Sequence, residues 1–496
     1  MSPISPMILA IDQSTSATKA VLFDARGKLL DKASRPHRQL YPQPGWVEHD
    51  AEEIWQNVLA VIREITKRNS KKLTQLAALS IANQRETVVV FDRATGKPLH
   101  NALVWQDRRG DALCAKLTKQ GHENFVRQKT GLKIDTYFSA SKLRWLIENK
   151  PDIAAKLRDG SAVIGTIDSY LIHRLTHGKV FATDFTNASR TLLFDIGKLR
   201  WDEKLCALFK VSLRALPEVR ESVAQFGETD AGGILPKPIP IVGVMGDSQA
   251  SLFAQRCFAP GTAKATFGTG TSVLLNVGKK FSPTKRGAVV ALAWVWRGKP
   301  TYATEGIISF SAATIEWLKN QLGLIQSAGE VEKLALSVRD NGGVYLVPAF
   351  AGLSAPYWSP DARAAIVGMT AFTQKAHIVR AAQEAIAYQI RDVLDMMRAG
   401  ANHTLQSVNV DGGPTRNKFL MQFTADLTRT EINVAEVAES SALGAAMNGL
   451  LGLGSYKSLE ELAALPRSSK SFKPQMKPAE VEKNYAGWRA AVKRVL

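Results

Sequence analysis

Short apolar runs and one 3.6-spaced apolar face, separated by polar turns, organise the start of the chain. Residues 8–11 form a short apolar run that ends in Asp12. Small polar and hydroxyl residues follow, Gln13-Ser14-Thr15-Ser16-Ala17-Thr18, then a second apolar stretch at 19–23 and a turn at Asp24-Ala25-Arg26-Gly27. This predicts a β-hairpin with hydroxyls at its tip. Asp50 with Glu53 three residues on predicts a capped helix start. Ile54, Val58, Val61, Ile62 and Ile65 supply the helix's apolar face at 3.6-residue spacing. Strands are predicted at 78–82 and 87–91, with a turn over 92–97. Strands alternating with helices predict α/β layers. A related layout returns past the midpoint. Strand-like 262–267, the turn Gly268-Thr269-Gly270-Thr271-Ser272 and strand-like 273–277 form a second hairpin. Two such hairpins predict two related α/β halves. Pro260-Gly261 marks a break, and we expect domains at 1–256 and 257–496.

Composition narrows the class. The chain has 496 residues, 45% hydrophobic and 22% charged, which excludes a largely disordered or fibrous protein. Lys and Arg outnumber Asp and Glu by 64 to 45, giving a net charge of +19. The bases are scattered. The dense group Lys67-Arg68-Asn69-Ser70-Lys71-Lys72 carries no aromatics, so a solvated basic surface is expected and no nucleic acid partner. Cys114, Cys206 and Cys257 lie too far apart for a metal pair or a disulfide framework, which fits a reducing compartment. Met1-Ser2-Pro3-Ile4-Ser5-Pro6 lacks the basic and apolar regions of a signal peptide, so a cytoplasmic location is expected. The longest apolar run, 288–296, is too short to span a membrane and reads as a buried strand.

Neither a P-loop nor a G-x-G-x-x-G after a strand occurs. The chemistry rests on five smaller features, each with an ordinary structural alternative. Asp12, at a strand end beside hydroxyls, can hold hydrated magnesium near a phosphate, or simply cap a turn. Gly268-Thr269-Gly270 lets backbone amides approach phosphate oxygens, or is a plain hairpin turn. Gly412-Gly413-Pro414-Thr415-Arg416-Asn417 follows an apolar strand and can pack on a nucleotide base, its Asn both donating and accepting; a plain strand-turn-helix is the alternative. Asp247, in Gly246-Asp247-Ser248-Gln249 after a strand, is placed to take a proton from a substrate hydroxyl. Arg85 and Glu86, side by side, can bind vicinal hydroxyls or form a surface ion pair.

In this order the features resemble the FGGY carbohydrate kinases, and among them the glycerol kinase branch. The resemblance runs nearly end to end. It is most specific at Pro44-Gly45-Trp46-Val47-Glu48-His49-Asp50, Asn83-Gln84-Arg85-Glu86-Thr87, Val104-Trp105-Gln106-Asp107-Arg108-Arg109, Tyr137-Phe138-Ser139-Ala140-Ser141-Lys142, Thr183-Asp184-Phe185-Thr186-Asn187-Ala188-Ser189-Arg190 and Ala355-Pro356-Tyr357-Trp358. It implies two RNase-H-like domains of the actin/hexokinase-like ATPase fold flanking a catalytic cleft, with MgATP held mainly by the C-terminal domain.

It also implies roles. Asp247 is the general base, and Asp12 lies near the magnesium. Ser14, Thr15 and Ser16 lie at the phosphates, and Gly268 and Thr269 cradle the transferred group. Ala312, Glu316, Gly413 and Asn417 line the nucleotide pocket. Arg85, Glu86, Trp105, Tyr137 and Asp247 match the family's glycerol contacts. Departures from the family pattern are Ser248 for Gln, Ser272 for Phe, Ala312 for Gly, Glu316 for Gln, Ser14 for Gly and Lys19 for Arg. The stretch Ala231-Gly232-Gly233-Ile234-Leu235-Pro236-Lys237-Pro238 lacks the Arg of the fructose bisphosphate loop found in some relatives. Ser248 and Ser272 shorten the acceptor pocket's wall and keep open a four- or five-carbon polyol or ketose beside glycerol. A non-catalytic sugar-binding or actin-like scaffold is the competing class, and the retained Asp12, Asp247 and Thr269 argue against it. Self-association into a dimer or tetramer is left open.

Overall fold

The structure is a computed structural model that describes residues 6–283, 287–359, 361–400, 404–435, 439–466 and 468–496. Residues 1–5, which carry most of the N-terminal stretch read above as lacking a signal peptide, lie outside the described residues.

The first hairpin forms. β1 (Met7–Gln13) runs antiparallel to β2 (Ala17–Phe23), which runs antiparallel to β3 (Leu29–Pro36). β4 (Leu76–Asn83) lies parallel to β1, and β6 (Ile239–Gly246) parallel to β4, with β5 (Gln225–Thr229) on the outer edge. The sheet order is β5-β6-β4-β1-β2-β3. The tip is tighter than its sequence suggests. Gln13 continues β1, and Ala17 and Thr18 already belong to β2. Ladder pairing of Asp12 with Lys19 and Gln13 with Thr18 outweighs the small polar residues' preference for a turn, which leaves Ser14–Ser16 as the loop.

Alternation within β1 sends Met7, Leu9 and Ile11 to one face. There they meet Ile54, Val58, Val61, Ile62 and Ile65 of α1 (Ala51–Arg68). Each such buried aliphatic contributes about 1.5–3 kcal/mol. The Asp50 carboxylate accepts the N–H groups of Glu52 and Glu53 at 2.8 and 3.3 Å. Glu53, the other half of the expected capping box, pairs instead with Arg38 at 3.2 Å.

The second half repeats the plan, with α4 (Lys375–Gly400) packed on its sheet through Ala385, Ile386, Ile390 and Val393. β7 (Thr262–Phe267) and β8 (Thr271–Gly278) form the second hairpin, and β9 (Val289–Trp296) is the apolar run read as a buried strand. With β10 (Lys299–Ile308), β11 (Ser407–Asp411), β12 (Glu431–Ala435) and β13 (Ser469–Phe472) the order is β9-β10-β8-β7-β11-β12-β13. The run β10-β8-β7-β11-β12 matches β3-β2-β1-β4-β6, antiparallel pairs first and parallel pairs last. Two α/β sheets of one plan are what the resemblance above implies.

The halves are not separate in space. α6 (Ser440–Gly452), late in the chain, covers the other face of the first sheet, packing Ala442, Ala445 and Ala446 with Ile8, Ala10, Ala78 and Met245. The approach is backbone to backbone, since a Cβ on Gly243 of β6 would lie 2.5 Å from the Ala445 carbonyl. Cys114, Cys206 and Cys257 are buried thiols. Among the described residues, no helix is long and apolar enough to cross a membrane.

Candidate active site

β6 delivers Asp247 to the cleft. Its last residue, Gly246, caps α2 (Asp247–Ala254), and Asp247 opens the helix. The Ser248 N–H donates to Asp247 Oδ1 at 2.6 Å, and Arg85 Nε stands 3.3 Å from the same oxygen. About a third of the Asp247 side chain is exposed, so the carboxylate is anchored yet reachable. Gly246 has no room for a side chain. A Cβ there would come within 2.7 Å of Arg85 Cγ.

Arg85 and Glu86 follow β4 and are buried, which rules out a surface ion pair. Nor are they mainly each other's partners, at 3.9 Å. Arg85 Nη2 reaches Glu305 Oε1 at 2.7 Å, and Nη1 reaches Gln249 Oε1 at 3.2 Å. Glu86 Oε1 takes Arg190 Nε at 2.5 Å, and Arg190 Nη1 stands 2.7 Å from Glu305 Oε2. Two arginines and two glutamates therefore close a buried ring. Breaking such a ring leaves an uncompensated buried charge. Burial alone would push the Glu305 carboxyl up, but Arg190 and Arg85 overcome it and hold the group down at about 2. For Glu86 burial prevails over the same two arginines, and its carboxyl sits above the ordinary range. Glu305, on β10, and Arg190, just past the short helix Phe185–Ala188, are site residues that the sequence reading missed. Arg190 closes one of the resembling stretches, which was the available signal. For Glu305 there was none, because the two arginines that neutralise it lie 115 and 220 positions away.

Trp105 and Tyr137 build an aromatic wall, their rings 5.3 Å apart. The Trp105 indole N–H donates to Thr15 Oγ1 at 2.9 Å, tying this wall to the first hairpin's tip. Burial pushes the Tyr137 phenol well above its usual range, so it stays neutral. The fully buried Lys142 ammonium holds the Tyr137 segment by donating to the carbonyls of Thr136, Tyr137 and Phe138 at 2.6, 3.3 and 2.9 Å. Ser248 and Ser272 are both half-buried. Ser272 Oγ donates to Glu305 Oε1 at 3.2 Å, so it joins the charged ring.

The residues expected at the phosphates and the nucleotide are held differently. Asp12 is buried near the end of β1, 3.4 Å from Lys19 Nζ, which also reaches Glu439 at 2.8 Å. Burial, partly offset by Lys19, raises the Asp12 carboxyl to about 6. Ser14 Oγ donates to the Ala17 carbonyl at 2.9 Å, and Ser16 is exposed. In the second hairpin the Gly268 N–H donates to the Gly270 carbonyl at 2.8 Å. The Gly268 and Thr269 carbonyls accept the N–H groups of Ala312 and Ala313, both at 3.1 Å, at the start of α3 (Ala312–Asn320).

Gly412 (φ 102°) abuts the end of β7, where a Cβ would lie 1.9 Å from the Phe267 carbonyl. Gly268, Ala312 and the Gly412-Gly413 turn thus surround one strand end. Glu316 lies further along α3, exposed, its nearest partner Asn320 at 3.5 Å. Asn417 does not have both amide atoms free. Its Oδ1 accepts the Leu420 N–H at 2.9 Å as the cap of α5 (Lys418–Thr428), which leaves the Nδ2 donor. Among the described residues, no group of three or more His, Cys, Asp or Glu side chains could hold a metal ion.

The family models of the FGGY family of carbohydrate kinases match here, the N-terminal domain over residues 7–254 and the C-terminal domain over residues 263–453. The chain is 47% identical over 489 residues to glycerol kinase 1 of Thermotoga maritima, and 46% identical over 489 residues to the glycerol kinase of Desulfitobacterium hafniense. In both cases 99% of each chain is covered. Among solved structures it is similar to Plasmodium falciparum glycerol kinase with ADP, at a TM-score of 0.94 and 39% identity over 99% of this chain and 98% of that one. The fold alone is shared with a xylulose kinase of Lactobacillus acidophilus, at a TM-score of 0.88, 22% identity and 98% coverage of both chains. With both family models matched across almost the whole cleft-forming chain, this protein belongs to the FGGY family of carbohydrate kinases.

Proposed function

We propose that this kinase transfers the terminal phosphoryl group of ATP to a terminal hydroxyl of glycerol. The observation that carries this reading is the convergence, in one cleft, of a reachable carboxylate (Asp247), a buried guanidinium 3.3 Å from it (Arg85) and an aromatic wall (Trp105 and Tyr137). Arg85 and Glu86 bind the acceptor's hydroxyls, and Trp105 and Tyr137 cover its carbons. Asp247 takes the proton from the hydroxyl whose oxygen attacks the terminal phosphorus as the bond to ADP breaks. The phosphates lie between the two hairpin tips, near Thr15 and Thr269, and the adenosine lies by Gly413 and Asn417 Nδ2. One buried carboxylate beside a lysine suits magnesium that arrives with the nucleotide, since this ion commonly takes one or two protein carboxylates plus phosphate oxygens. Asp12 is the residue that would hold it, and the ion would neutralise phosphate charge.

With ATP as donor and three buried thiols, the cytoplasm is the compartment this reading implies.

A second acceptor class, four- and five-carbon polyols and ketoses, is favoured by the Ser272–Glu305 hydrogen bond. It presents a polar wall where the family's Phe would give a carbon surface. The test is ATP consumption, with magnesium in excess, against three- to six-carbon polyols and ketoses. Turnover with glycerol that falls ~10²–10⁴-fold in Asp247→Asn supports the reading. Wild-type turnover in that variant removes Asp247 as the base.

A further inference from the structure

The stretch Asp184–Arg190 resembles the family closely, yet none of the roles above uses Asp184, Thr186 or Asn187. All three are completely buried. Asp184 caps the four-residue helix Phe185–Ala188 and collects five donors. Its Oδ1 accepts Thr186 Oγ1, Asn187 N–H and Asn187 Nδ2, each at 2.9 Å. Its Oδ2 accepts Thr186 N–H at 3.0 Å and Ser222 Oγ at 2.7 Å.

Because the Thr186 hydroxyl spends its one proton on this carboxylate, it can only accept from elsewhere. It accepts the Gly246 N–H, at 2.8 Å. Gly246 is the residue immediately before Asp247. Asn187 meanwhile exchanges two amide hydrogen bonds with Asn83, at 2.9 and 3.0 Å. Asn83 and Gly246 are ladder partners at the ends of β4 and β6. The helix therefore grips both strand ends from which Arg85 and Asp247 project.

We propose that Thr186, held by Asp184, is a positioning residue for Asp247: it fixes the Gly246 peptide and so the direction in which the carboxylate leaves β6. Beyond the Gly246 peptide, Asp247 is held at its carboxylate by the Ser248 N–H and Arg85 Nε and at its carbonyl by Ser441 Oγ at 3.1 Å. The Ser248 bond is local to the residue and turns with it, so the backbone on either side, the Gly246 N–H on Thr186 and the Asp247 carbonyl on Ser441, sets the base's aim. A small misplacement of a reacting group can cost about 10²-fold in rate. The proposal rests on Asp247 acting as the base.

The experiment measures kcat and KM for glycerol, with ATP and magnesium saturating, in Thr186→Val, Thr186→Ser, Thr186→Cys and Asp247→Asn. Folding is checked by thermal melting. Valine keeps the shape and removes the acceptor, so kcat should fall at least about tenfold with KM within about twofold. Serine keeps the oxygen and should restore kcat to within about threefold. Cysteine, a weaker acceptor, should fall between them, and it stands in for valine if valine does not fold. A folded valine or cysteine variant with wild-type kcat overturns the proposal. So does a serine variant as slow as valine, which would assign the effect to methyl packing. If Asp247→Asn is slow while Thr186→Val is not, the positioning role alone fails. If Asp247→Asn keeps its turnover, the assignment of the base fails and the positioning role with it.

Discussion

The acceptor and nucleotide sides proposed above each draw residues from both of the sheets, which share one strand order, yet they present opposite surfaces. On the acceptor side, charge is buried and cross-linked before any substrate arrives: Arg85, Glu86, Arg190 and Glu305 close a ring, and Ser272 joins it. On the nucleotide side, the second hairpin's turn is glycine and threonine, Thr269 and Glu316 are exposed, and backbone groups do most of the bonding. Apart from Asp12 and Lys19, little there is fixed by side chains. The contrast matches the ligands. A small neutral polyol offers few handles, so the protein must bring its polar groups preset. A nucleotide triphosphate carries its own charge and its own metal, and needs mainly amides and space.

The contrast can be broken most directly at Glu305. Glu305→Gln leaves Arg85 and Arg190 buried without their shared counter-charge. Loss of a buried partner costs about 3–5 kcal/mol, so a large drop in melting temperature is expected together with weaker glycerol binding. A variant that melts with the wild type would mean that water reaches the ring.

The buried Asp12 carboxylate on the nucleotide side sharpens the comparison. Asp12 is raised from 3.8 to about 6, so in the free enzyme it takes up a proton as pH falls through 6. kcat/KM for MgATP should then decline by up to tenfold per unit below about pH 6, and Asp12→Asn should lower the rate and flatten that limb. An unchanged limb in Asp12→Asn would assign it to another group.

Exchanging the polar wall for the family's residues tests the acceptor side again. Ser248→Gln with Ser272→Phe should shift the ratio of kcat/KM toward glycerol over a four- or five-carbon polyol by roughly tenfold. No shift would mark the two serines as neutral. The smallest effect belongs to Glu316. Exposed and barely bonded, it should change KM for ATP less than about threefold as Glu316→Gln; a larger change would give the nucleotide side a preset side chain after all.

The limits of the sequence are physical. β1, β7 and the helix after Asp50 were legible because short apolar runs, glycine turns and a 3.6-residue pattern are local signals. Asp247 was legible because a polar residue ending an apolar strand in an α/β layer faces a cleft. The family resemblance added Arg85, Trp105 and Tyr137. Glu305 was not legible, since one glutamate on a buried strand carries no local mark of the two arginines that neutralise it. Arg85 beside Glu86 looked like a pair because adjacency is all that a sequence displays; the backbone turn at Glu86 (φ 63°) sends the two side chains to different partners. Asn417 showed its second use only once α5 had a defined first turn to cap.

The placement of α6 has a consequence for synthesis. The first sheet is complete when Gly246 has been made, but the helix that covers one of its faces ends at Gly452, roughly 200 residues later. At the usual pace of about 5–20 residues per second, a ribosome takes on the order of 10–40 s to cross that distance. Throughout that interval Ile8, Ala10, Ala78 and Met245 have no partner from α6, and the nascent chain offers an apolar sheet face to whatever chaperone stands at the exit tunnel.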